Sequence, residues 1–171
     1  MSKSDSKLFY KIYFGLLEFT NKKYKINNMK IYNHHGVNPY ELKDIVDKFW
    51  KNKDAIVLEF CLVNPYKFTK VKITREFKKE IRGMFIIVKY DLEYTAFMEK
   101  DKVYMVKGLN DNIDNIISYK DLPYAVVTSV IPFKNVLTYD GMFLGMGVKM
   151  GNSFDDIVEK EYDNMMKYYH L

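Results

Sequence analysis

Tyr139-Asp140-Gly141 is the tripeptide that comes nearest to a reactive site in this chain. A carboxylate beside glycine at a strand end can stand exposed and fixed in direction, and a basic neighbour such as Lys134 would give it a hydrolase-like partner. The same residue types also close tight turns, which is the plainer use of Asp next to Gly. No nucleophile sits beside a base in the linear sequence and no second carboxylate pairs with Asp140, so no catalytic residue is assigned. His34 and His35 are adjacent, His170 stands far away, and Cys61 is the single cysteine, so neither a metal nor a cofactor is expected from ligand spacing. Gly141, Gly145, Gly147 and Gly151 form G-x-x-x-G-x-G-x-x-x-G, which is not the dinucleotide fingerprint and reads as turns and bulges.

The densest basic stretch holds Lys67, Lys70, Lys72, Arg75, Lys78, Lys79 and Arg82 against Glu76 and Glu80. At about 100° per helical residue, Lys72, Arg75, Lys79 and Arg82 share one arc opposite Ile73, Phe77 and Ile81. Such a face can contact the phosphates of a nucleic acid or an acidic protein. It can equally be a solvated face neutralised by neighbouring carboxylates, since charge runs of this size are usual. Arg82-Gly83-Met84-Phe85-Ile86-Ile87-Val88 begins like an RNA-binding strand motif, but Met84 and Ile86 occupy the positions where bases would stack. An oligonucleotide-binding barrel with Tyr90, Tyr94, Phe97 and Tyr104 as stacking residues stays open, against the commoner use of strand aromatics as core.

These residues need elements to hold them. Leu8, Ile12, Leu16 and Thr20 beside Phe9, Tyr13, Leu17 and Tyr24 predict an amphipathic helix over 6–24, followed by a loop over 25–37. Asn38-Pro39 opens a second helix with Leu42, Ile45, Val46, Phe49 and Trp50 inward. Asp54 caps a third, whose Ile56, Val57, Phe60, Cys61 and Val63 predict the buried helix of the set, stopped at Asn64-Pro65. A fourth follows Thr69 and ends at Gly83. The pattern then turns to strands at 84–90, 94–99, 103–108, 125–131, 136–139 and 144–150, with a meander for the first three and a helical turn capped by Asp111 between the third and fourth. Ser153 with Asp156 caps a last helix, inward at Phe154, Ile157, Val158, Glu161 or Tyr162, and Met165.

The chain is 171 residues, 48% hydrophobic and 29% charged with four prolines, which excludes a long disordered or collagenous segment and admits one domain or two small lobes. Its net charge of +5 is uneven, with 20 basic and 12 acidic groups in residues 1–100 but 7 and 10 in residues 101–171. That asymmetry admits a polyanionic partner and is also what a lysine-rich proteome produces. No apolar run is long enough for a membrane span and the first residues lack a secretory h-region, so a cytoplasmic protein without membrane insertion is expected.

Leu122-Pro123, Val130-Ile131-Pro132-Phe133-Lys134, Val136-Leu137-Thr138-Tyr139-Asp140-Gly141 and Gly145-Met146-Gly147 resemble the Leu-Pro-Phe-Lys-Gly-Lys-Ile-Ile-Tyr-Asp-Gly run of a family of uncharacterised proteins from low-GC Gram-positive bacteria. Asn64-Pro65, Gly83-x-Phe85-Ile86-Ile87-Val88-Lys89 and Val103-Tyr104-x-Val106-x-Gly108-Leu109 extend the likeness over residues 8–150. Asn135 stands where that family often has Gly, Phe77 where it often has Trp, and the cysteine-rich zinc motif of the SEC-C type that adjoins some relatives is absent here. The resemblance implies a genuine fold and supplies no activity.

The sequence therefore predicts an α+β protein: a helical lobe over 1–82 packed on a small curved antiparallel sheet or partly closed barrel over 83–171, closed by a C-terminal helix, or one continuous domain. Its expected role is a non-catalytic binding or adaptor module for a protein or a nucleic acid. A hydrolase-like enzyme using Asp140, and a homo-oligomeric structural protein, are the alternatives.

Overall fold

A computed structural model describes residues 1–31, 39–64, 68–110, 112–145 and 152–169. The readings at His34, His35, Asn38, Lys67, Asp111, Gly147, Gly151 and His170, the strand beyond Gly145 and the Ser153 and Phe154 side chains lie outside the described residues. The fold is α+β, and the chain divides into two compact units, Lys3–Lys79 and Glu80–Leu171 with Met1–Ser2. The sequence reading sets the division between Arg82 and Gly83, three residues later.

The first unit is helical: α1 (Lys3–Tyr24), α2 (Pro39–Lys51), α3 (Lys53–Val63) and α4 (Phe68–Glu76), the last continued by a 3-10 turn, Phe77–Lys79. Apolar residues at helical spacing give it its core. Phe9, Ile12, Tyr13, Leu16, Ile45, Phe49, Ile56 and Phe77 are buried, and the Phe77 ring stacks on Phe9 at 5.4 Å and on Tyr13 at 6.1 Å. After α1, Asn21 organises the loop, its Nδ2 donating to Asn27 Oδ1 and to the Met29 carbonyl. Two expectations for α3 are corrected. Asn52, not Asp54, is its N-cap residue, and α3 is not the buried helix. Ile56, Val57 and Phe60 face inward while Leu58, Leu62 and Val63 are exposed, because apolar residues crowd all sides of this helix and one stripe suffices to fill the core. At its end Asn64 leaves the helix in extended geometry, as a residue before proline must, and its Nδ2 donates to the Phe60 carbonyl.

The second unit is a barrel of five strands: β1 (Ile81–Tyr90), β2 (Thr95–Glu99), β3 (Lys102–Val106), β4 (Tyr124–Phe133) and β5 (Val136–Tyr139), with a short β6 (Leu144–Gly145) on β4. The strand order is β1-β2-β3-β5-β4, and β1 pairs with β4 to close the ring. All pairings are antiparallel except β3 with β5, so the barrel is mixed rather than purely antiparallel. The parallel seam is held by Lys107 N donating to the Leu137 carbonyl and Thr138 Oγ1 donating to the Lys107 carbonyl. Closure leaves no ring strand with a bare edge.

Register explains why β1 reads as an unbroken apolar run. Phe85 and Ile87 face Val126, Phe97 and Tyr104 inside the barrel, whereas a bulge between Ile87 and Lys89 brings Val88 to the outer face beside Ile86. That outer face is covered by α5 (Asn152–Tyr169), whose Val158, Tyr162, Met165 and Met166 lie on Ile86, Val88, Ala96, Met98, Val103 and Met105. Ile157, expected inward, is exposed, because the row through Val158 and Tyr162 already fills that contact. A strand buried on both sides has no polar face to alternate with. Among the described residues no helix is long and apolar enough to cross a membrane.

Candidate interaction surface

The basic arc of the sequence reading is not one helix face. α4 stops at Glu76, so Lys72 and Arg75 are helical, Lys79 lies in the 3-10 turn, and Arg82 is a residue of β1 in the other unit. The reason is a clash of periods. Ile81 continues the four-residue row of Ile73 and Phe77, but it also begins the two-residue alternation Ile81, Gly83, Phe85, Ile87, and the branched run that follows settles the segment as strand. Gly83, expected to end a helix, sits within β1, where a Cβ would stand 2.9 Å from Glu99 Oε1. Part of the basic charge is also answered locally, Lys79 by Glu76 at 2.8 Å and Lys78 by Asp54 at 3.4 Å.

The residues of the hydrolase alternative are likewise separated. Lys134 occupies the two-residue turn between β4 and β5 with φ 54°, at the far end of β5 from Asp140. Four residues of strand at ~3.3 Å each keep the two apart. Tyr139 is buried and its ring stacks on Phe143 at 4.5 Å. Asp140 is buried too; its Oδ1 accepts from Met142 N at 3.0 Å and from Thr128 Oγ1 at 3.1 Å, while its own N–H donates to the Ser129 carbonyl. Burial pushes the carboxyl up to about 6, against the pull of those hydrogen bonds and of the Arg82 charge. This is a turn-bonded carboxylate that pins the chain after β5, with Gly141 at φ 81° completing the turn.

Two of the four conceivable stacking aromatics are core, since Phe97 is fully buried and Tyr104 packs edge-on against Phe85 at 5.8 Å. The other two, Tyr90 and Tyr94, stand at the end of the barrel where β1 turns into β2 and where the chain leaves β3. There they line a cleft of about 420 Å³ with Asp91, Leu92, Glu93, Asn112, Ile113 and Asp114. Tyr90 Oη donates to the Ile117 carbonyl at 2.7 Å, tying the β1–β2 turn to the β3–β4 connection. Burial, then Asp114 and Asp121, hold the Tyr90 phenol far above its ordinary pKa, so it stays a donor. Lys107 pairs with Glu93 at 2.8 Å and lies over the Tyr94 ring at 5.1 Å; the hydrogen bond to Lys107 holds the Glu93 carboxyl below its usual range.

This rim also exposes apolar side chains that a barrel end does not need. Leu92 at the tip of the β1–β2 turn is 96% exposed, and Tyr119 and Ile116 on the β3–β4 connection are 73% and 53% exposed. Asp91, Glu93 and Asp114 line the cleft beside Leu92, with Glu93 paired to Lys107, while Tyr119 lines a second cleft with Val88, Lys89 and, from α5, Glu159, Tyr162 and Asp163. An exposed leucine on an acidic cleft, with exposed isoleucine and tyrosine on the connection that Tyr90 ties to it, has the mixed apolar and charged make-up of a protein contact. Sequence reasoning treats Asp91-Leu92-Glu93 only as a hairpin break. Its signal was the leucine, an apolar residue at a turn tip where polar ones are usual. Among the described residues, no three of His, Cys, Asp or Glu are grouped to hold a metal ion. Comparison of the chain with protein-family models, with curated proteins and with solved structures finds no match.

Proposed function

We propose that this chain is a non-catalytic binding module whose partner is a protein segment carrying basic and apolar side chains, received at the rim formed by the β1–β2 turn and the β3–β4 connection. The observation that carries this reading is Leu92 standing exposed on a cleft lined by Asp91, Glu93 and Asp114, with Ile116 and Tyr119 exposed on the β3–β4 connection. Exposed apolar groups supply binding energy when a partner removes them from water, and the surrounding carboxylates select a cationic segment and speed its approach.

The connectivity supports a binding role by analogy alone. A five-strand Greek-key barrel closing β1-β2-β3-β5-β4 has the strand order of oligonucleotide- and oligosaccharide-binding barrels, which work through the strand 2–3 face and adjoining loops. In this chain that face is apolar and occupied by α5, which leaves the loops at the rim. A carboxylate-rich rim repels phosphate, and this favours a basic protein over a nucleic acid.

The test is a titration of the labelled chain, followed by amide NMR shifts, with short peptides holding two or three Arg or Lys and one Leu or Trp, with their Glu counterparts, and with single-stranded oligonucleotides. The reading expects basic peptides to shift Tyr90–Thr95 and Asn112–Asp121, an effect lost in Leu92→Ser with Tyr119→Ser. Oligonucleotide binding at the rim, or equal response to acidic peptides, would overturn it.

A further inference from the structure

Glu159, Tyr162 and Asp163 stand at i, i+3 and i+4 in α5, so one face of that helix carries a ring together with two carboxylates. This face meets Val88 and Lys89 of β1 and Tyr119, Leu122 and Pro123 of the β3–β4 connection, and together they line a cleft of about 290 Å³. Like charges one helical turn apart repel. Among the described residues, no cation forms a salt bridge with either carboxylate, Lys89 included. Lys89 instead holds its Nζ over the Tyr162 ring at 6.0 Å, the outer reach of cation–π attraction. The carboxylates alone would be a solvated helix face. The rings and the hydrocarbon of Val88, Leu122 and Pro123 beside them give the cleft a surface that a long cationic side chain can cover along its whole length.

We infer that this cleft receives one arginine side chain of the basic segment proposed for the rim, with its stem against Val88, Leu122 and Pro123 and its guanidinium against the tyrosine rings and the carboxylates of Glu159 and Asp163. Charge selects a cation: two carboxylates against the one ammonium of Lys89 leave the lining with a negative excess. Size selects a side chain, because about 290 Å³ falls just short of the range of about 300–1,000 Å³ usual for small-molecule sites. Shape selects arginine over lysine. A guanidinium is flat and weakly hydrated, stacks on aromatic faces and offers donors to two carboxylates at once, whereas an ammonium is a compact, strongly hydrated point charge. The cleft is continuous with the rim through Tyr119, which lines it from the connection that Tyr90 Oη ties to the β1–β2 turn at the Ile117 carbonyl. The inference rests on the rim reading for the source of the arginine; the chemistry of the cleft is its own.

The test titrates isotope-labelled full-length chain with Nα-acetyl-arginine amide and with its citrulline counterpart, which keeps the shape and lacks the charge, and follows amide NMR shifts. The arginine compound should move Val88, Lys89, Tyr119–Leu122 and Glu159–Asp163. It should bind roughly tenfold more tightly than the citrulline compound, and lose roughly that factor in Glu159→Gln with Asp163→Asn. Both carboxylates are exposed, so this variant should keep the wild-type fold, which its amide spectrum verifies. Lys89→Gln should bind the arginine compound no more weakly than wild type, since it removes a like charge. Equal response to citrulline, full affinity in the double variant, weaker binding in Lys89→Gln, or no shift at these residues each overturns the inference. A basic peptide that moves Tyr90–Thr95 and leaves Glu159–Asp163 still overturns it too, and spares the rim reading. The arginine compound bound here, with no peptide felt at Tyr90–Thr95, supports the cleft and removes the rim.

Discussion

A buried carboxylate that forms a turn rather than a site has a consequence in stability. Asp140 keeps its proton in the folded chain to about pH 6, against 3.8 ordinarily, so between those values the folded state binds more protons than the unfolded one. Stability from this group is therefore full at low pH and is lost as pH rises through the folded value. A tenfold difference in proton affinity between the two states corresponds to about 1.4 kcal/mol. Asn at this position keeps an oxygen for Met142 N and Thr128 Oγ1 and has no proton to lose. Urea unfolding of wild type and Asp140→Asn at pH 4 and pH 7 should show the wild type losing roughly 2–3 kcal/mol relative to the variant on going to pH 7. Parallel pH curves would mean that Asp140 is ionised throughout and that its burial is offset by Arg82.

At the scale of elements, legibility followed the number of faces that a segment buries. α1 and α2 each bury one stripe, and the spacing of Leu8, Ile12 and Leu16 or of Leu42, Ile45 and Phe49 placed them within a few residues. β2 and β5 were visible for the parallel reason, short branched runs between turn residues. The failures came where a period was shared or missing. Ile81 fits both a helix row and a strand alternation, and only the pairing of β1 with β4 decides between them. α3 is apolar all round, so composition suggested full burial, and whether neighbours reach both sides is a tertiary fact. Two substitutions measure this difference. Phe77→Ala, which empties the space between Phe9 and Tyr13, should cost about 3–5 kcal/mol of unfolding free energy. Leu62→Ser, on the exposed side of α3 at 77% exposure, should stay within about 0.5 kcal/mol, and a loss as large as that of Phe77→Ala would show that this face is covered in solution.

For the molecule as a whole, the charge asymmetry is the feature that most invites a nucleic-acid reading, and its cations do not share one element. The excess of lysine lies in residues 1–100, yet Lys72, Arg75, Lys79 and Arg82 fall on a helix, a 3-10 turn and a strand, and Lys78 and Lys79 already face Asp54 and Glu76. Tight phosphate binding needs several cations along one track, because each neutralised phosphate releases counterions and the gain adds up with their number. Cations that form no single track yield only weak, sequence-independent attraction. Single- and double-stranded RNA and DNA, titrated across a salt series against the wild type and against a variant with all four residues changed to Gln, distinguish the cases. The expected result is weak binding that vanishes by about 0.15 M salt, where the screening length is ~8 Å, and that differs little between the two proteins. Tight binding with a steep salt slope, lost in the variant, would mean that the four cations converge on one ligand after all, and the partner sought should then be a polyanion in place of the basic segment that the rim favours.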